Sequence, residues 1–212
     1  MTKFSILSAA CIAAALGGIA CGSDADESPM PGGGGTTNVP PGAGPGGSEG
    51  VAPDEGGVLT KAADLSDPEM LNVLHVTSVA DFRRAQIAEN KAQNPAVRAY
   101  ATKLARDATI VDYSAAVTGK SMGVTPSTNE VGAMVTRAGD AFTQGMNAKP
   151  TGIAFDRAYM DVQIEAADGT IAMVEQMLIT AEAVPLRSLL TETVEAAQRH
   201  FDEAVLIRYS LK

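Results

Sequence analysis

Between Ser66 and Lys212, apolar residues recur every three or four positions, and prolines 68, 95, 126, 150 and 185 cut the pattern into lengths of about 25–35 residues. That period is helical, since a strand would need alternation by two. The spacing predicts helices over about 67–92, 95–119, 128–147, 152–182 and 185–211. Ser66 and Glu69 have the spacing of a capping box, with Pro68 in the first turn. Ser127 and Glu130 offer a second box. The joint "QNPAV" is too short for anything but an antiparallel hairpin, and the joint at Pro185 is equally tight. Two long hairpins joined by a shorter helix predict an all-α domain, a four-helix bundle with a crossover. The second helix then runs parallel to the fourth, and the first parallel to the fifth.

The stripes name the expected interior. The first helix presents Leu71, Leu74, His75, Ser78, Phe82 and Ala85, with Asp81 at the edge. The second presents Val97, Ala101, Leu104, Ala108, Val111 and Ala115, and the third Val131, Met134, Val135, Ala138 and Phe142. The fifth steps through Leu186, Leu190, Thr193, Ala197, His200, Ala204 and Ile207. The fourth is apolar on two sides and acidic on the third, where Asp161, Asp168, Glu175 and Glu182 fall every seven residues. Unpaired charges are rarely buried, so this acidic line reads as solvated surface, with Glu165 at its edge able to turn inward.

Residues 1–20 read differently. Lys3 precedes an apolar run from Phe4 to Ala20, the form of a signal peptide. The run ends "LGGIAC", similar to a bacterial lipobox, which makes Cys21 the expected lipid attachment point. The alternative is ordinary export, giving a secreted or periplasmic chain. Cys11 leaves with the signal peptide, so no internal disulfide is expected. Half of the 36 residues in 22–57 are Gly or Pro, and none of them is Lys or Arg. No apolar face can form there, so 21–57 is expected to be a disordered tether reaching about 30–35 Å. The folded domain is then 58–212.

Charge excludes one class of partner. The net charge is −9, and no block of Lys and Arg exists to neutralise phosphates, so no nucleic-acid partner is expected. Neither a phosphate-binding Gly loop after a strand nor a nucleophile motif is found, so no catalytic residue is assigned.

The runs "VLHVTSVADFRRAQIAENKAQNPAVRAYATKLARD" and "FDRAYMDVQIEA" resemble the domain of unknown function 4142 family, over about 66–208. The family looks ferritin-like, and its members are exported bacterial envelope proteins without an established activity. Its members usually carry His where this chain has Ala108 and Ala167, Glu near Asp81, and a late His matching His200. The resemblance therefore implies a central metal site, such as iron, zinc or manganese, built from one carboxylate and three imidazoles. Here two of those imidazoles are methyl groups. Asp81 and His200 remain, with Asp107 and Glu165 as helpers, and two ligands do not make a firm site. The expected state is free of cofactor, with a weakly bound metal as the alternative. His75 is expected to be a core histidine bonded to a neighbour. The expected role is that of a non-catalytic module, lipid-anchored to a membrane and meeting an envelope protein. The alternative roles are a metal-binding or oxidative-stress protein with a weakened site, and a carrier of small apolar ligands in space left by Ala108 and Ala167.

Overall fold

The computed structural model describes residues 55–212. The expected signal peptide, Cys21 and nearly all of the tether lie outside the described residues. Six helices follow one another: α1 (Glu55–Ala62), α2 (Asp67–Lys91), α3 (Pro95–Met122), α4 (Glu130–Ala148), α5 (Ile153–Thr180) and α6 (Val184–Ser210). Among the described residues there is no strand. The five long helices begin and end within three residues of the expected places. α1 was not expected, and it starts inside the Gly-rich stretch.

Local chemistry explains the ends. The Ser66 amide donates to the Glu69 carboxylate at 2.9 Å, and the Ser66 hydroxyl donates to it at 2.6 Å, which closes the box before α2. Asn94 caps α3 by accepting from the Ala96 amide at 2.8 Å. Gly123 ends α3 in the left-handed region, with φ of 68°, where a side chain would be strained. The second box is a correction. Asn129, not Ser127, caps α4 by accepting from the Gly132 amide at 2.8 Å. The Ser127 amide instead donates to the Pro68 carbonyl, tying the loop to the start of α2.

Two aspartates show how the helices run. Asp156, at the start of α5, accepts from the Gln93 and Asn94 amides at the α2–α3 joint, at 3.1 and 2.8 Å. Asp67, at the start of α2, accepts from the Glu182 and Ala183 amides at the α5–α6 joint, at 3.1 and 3.0 Å. The start of each hairpin thus meets the joint of the other, so α2 and α5 are antiparallel. With tight joints, α3 then runs with α5 and α6 with α2, as expected. α2 packs on α3 and α4, α5 on α6, and α3 on α6. Two apolar clusters fill the interior, one around Leu71, Leu74, Val174 and Leu190, the other around Tyr100, Phe155, Tyr159 and Met160.

The expected stripes hold on α3 and α6, where Val97, Ala101, Leu104, Ala108, Ala115, Leu186, Leu190, Ala197 and Ala204 are all buried. Asp161, Asp168, Glu175 and Glu182 are exposed. α2 differs. Its buried face includes Val73, Thr77, Ala80 and Arg84, while His75 and Phe82 are exposed. The cause is α4, which lies against that flank and turns the packed face away from His75. Ala138 of α4 is exposed for a related reason, because Gly132, Gly139 and Met146, seven apart, make the buried face.

The α2–α4 contact yields a prediction of opposite signs. A Cβ on Gly139 would lie 3.0 Å from the Ala80 Cβ, whereas one on Gly145 would meet nothing within 4 Å. Gly139→Val should cost about 2 kcal/mol by forcing the helices apart. Gly145→Ala should add about 0.5–1 kcal/mol through helix propensity. Urea melts of the two variants check both signs.

Candidate functional site

Polar side chains from four helices gather in the middle of the domain. Asp81 of α2, Asp107 of α3, Gln163 of α5 and His200 of α6 meet there. Two adjoining cavities mark the place, of about 50 and 30 Å³. Asp81, Leu104, Thr170, Ala197 and His200 line both. Ala108 lines the larger and Ala167 the smaller, and both alanines are buried, at 5% and 8% exposure. The two methyl positions therefore face the centre, beside His200.

His200 is 6% exposed, and its Nε2 lies 3.2 Å from Oδ2 of Asp107. A carboxylate only accepts, so the nitrogen that faces it is the one that carries the proton. Nδ1 is then a bare lone pair, and it is buried with no partner in the protein. The Tyr100 ring stands edge-on to the imidazole, 5.7 Å away. Asp107 accepts from Nε of Arg106 at 3.1 Å. Asp81 is paired with Arg84, one turn on, whose guanidinium lies 5.7 Å over the Phe142 ring. Tyr100 and Tyr159 are buried, and burial above all raises their pKa far beyond the phenol range.

Burial lowers the His200 pKa, opposed by the charge of Asp107. The folded state thus binds this proton less readily than the unfolded chain does. As pH falls below the ordinary histidine value, about 6.5, the unfolded chain takes up the proton first and stability declines. Above that value the contribution is fully present. Urea midpoints should therefore drop between pH 7.5 and 5.5, and His200→Asn should flatten the drop.

Glu165 is half-buried and lines neither cavity. His75 is exposed on the outside of α2, where its Nδ1 shares a hydrogen with Asp112 of α3 at 2.6 Å. It has the expected neighbour but not the expected core position. Three central residues escaped the sequence reading: Arg84, Tyr100 and Gln163. A signal for each existed. Arg84 follows Asp81 by three, Tyr100 sits between Val97 and Leu104, and Gln163 sits between Met160 and Ala167.

The donors present do not fit a tightly held transition metal. Asp81 and Asp107 each bind an arginine, and Asp107 also faces the His200 proton. One imidazole nitrogen is left over. Among the described residues no group of three or more His, Cys, Asp or Glu side chains is placed to hold a metal ion. The cavities are also too small for an apolar carrier, since an apolar cavity that takes benzene measures about 150 Å³.

The model of the domain of unknown function DUF4142 matches residues 55–207. The chain belongs to the DUF4142 family. The match takes in α1, which the resemblance in the sequence had left out. No curated protein and no solved structure matches the chain. Among the described residues no helix is long and apolar enough to cross a membrane.

Proposed function

We propose that this DUF4142 chain presents a ferritin-like bundle at the bacterial envelope, tethered by a lipid on Cys21, and that the bundle acts by contact and not by catalysis. In this reading α2, α3, α5 and α6 form the four-helix bundle and α4 is the crossover. The observation that carries it is the use of the central charges. Asp81 is spent on Arg84 and Asp107 on His200 and Arg106, so neither of these central carboxylates is left to work on a substrate. A surface for contact exists on α3, where Ile110, Tyr113 and Val117 share one face at 55%, 72% and 47% exposure. Photo-crosslinkers at positions 113 and 168 of the full chain test this in cells. Adducts of one mass from 113 and none from 168 support an envelope partner, and equal adducts or none refute it. Cys21→Ser should move the protein from the membrane fraction to the soluble one, and retention in the membrane would refute the tether.

One observation favours a second reading, that of a weakened metal site. His200 is oriented by Asp107 through Nε2, with Nδ1 turned bare into the interior, as a metal-binding histidine is oriented by a carboxylate behind it. Weak binding of zinc, lost together in Asp81→Ala and His200→Ala, would support that reading.

A further inference from the structure

Two side chains that line the smaller cavity carry nitrogens that nothing in the protein satisfies. Nδ1 of His200 and Nε2 of Gln163 are buried without partners, in residues 6% and 2% exposed. Such groups are rare in native interiors, because each forfeits its hydration on burial. Both residues line the smaller cavity, together with Asp81 and Tyr100, and its remaining wall is Leu104, Thr170 and alanines 166, 167 and 197.

The chemistry of these groups limits the guest. Nδ1 of His200 accepts, because Nε2 faces Asp107. Nε2 of Gln163 donates. One hydroxyl can do both, giving its hydrogen to the ring nitrogen and accepting from the amide. An apolar guest would leave both nitrogens unsatisfied. A charged guest would enter without a counter-charge, since Asp81 is already neutralised by Arg84. Size limits it further. A water needs about 10–15 Å³ of such space, so about 30 Å³ takes two waters or a molecule of two non-hydrogen atoms.

We infer that the smaller cavity is a binding site for one small uncharged hydroxylic molecule, water at rest, exchangeable for an alcohol of methanol size. The methyl group of the alcohol lies against the alanine wall and its hydroxyl meets His200 and Gln163. The inference rests on the reading of this centre as free of a tightly held metal.

The test uses the full chain labelled with 15N at its histidines. There are two histidines in the sequence, and exposed His75 is the internal control. Methanol should shift the His200 Nδ1 resonance saturably, with a Kd of about 10 mM or weaker, the limit set by binding energy per atom for so small a ligand. His75 should follow only the slow linear drift of the solvent, and xenon, an apolar probe, should leave Nδ1 unmoved. Gln163→Leu removes the donor and should weaken the response several-fold in a chain whose thermal melt shows it folded. Ala167→Val should abolish the response by filling the space, while Ala108→Val, which faces only the larger cavity, should keep it. Equal drift at both histidines, or a response to xenon and none to methanol, would overturn the inference. Elemental analysis of the same sample separates the two failures. Stoichiometric metal would defeat the reading of the centre, whereas metal-free protein without a methanol response defeats only the ligand.

Discussion

Asp156→Ala should be among the most destabilising single changes in the domain, costing about 3 kcal/mol and lowering Tm by about 6–12 °C. Asp156 is 1% exposed and accepts from two backbone amides at the α2–α3 joint. Alanine would leave both amides of this part-buried joint with no acceptor and would open the space that the carboxylate filled. Asn keeps one acceptor oxygen and should lose about half as much. Asp67 makes the matching contact at the other joint but is only half-buried, so Asp67→Ala should cost about 1 kcal/mol. Thermal melts of the three variants give the order. If Asp156→Ala and Asp67→Ala cost the same, burial is not what sets the strength of these pins.

Introducing histidine at both 108 and 167 should create metal binding that the parent chain lacks. The two positions are buried and line the adjoining cavities that share His200 and Asp81. Two added imidazoles would bring the donors to three nitrogens and a carboxylate, enough for a closed tetrahedral site. The cavities take only part of each ring, so about 1–3 kcal/mol of overpacking is expected per substitution. Cobalt or zinc titration should nonetheless show affinity rising by about 100-fold or more over the parent. No gain, in a protein that still melts cooperatively, would mean that the four positions do not converge on one point.

The helices and their order were legible because proline joints and three-four stripes coincide. Pro95 and Pro185 force tight turns, and the seam from Val97 to Ala115 is unbroken. The same stripes placed Ala108 and His200 in the interior, since α3 and α6 each bury one dominant face. α2 was less legible. It has neighbours on two sides, and nothing local in its sequence says that α4 covers the flank of Asn72, Val76 and Ala80 and leaves His75 in solvent. α1 was hidden because its first turn, Glu55 to Gly57, has the same composition as the tether before it. The pairing of Asp81 with Arg84 was also missed. It is a three-residue step within one helix, and only the burial given by α4 and Phe142 turns it from a surface pair into a central one.

The most direct measurement is the metal content of the full chain, purified without chelators after growth in medium supplemented with iron, zinc and manganese. The account predicts far less than one ion per chain, because Arg84 holds Asp81 and alanines stand at 108 and 167. A full equivalent of any of these metals, lost on His200→Ala, would contradict it.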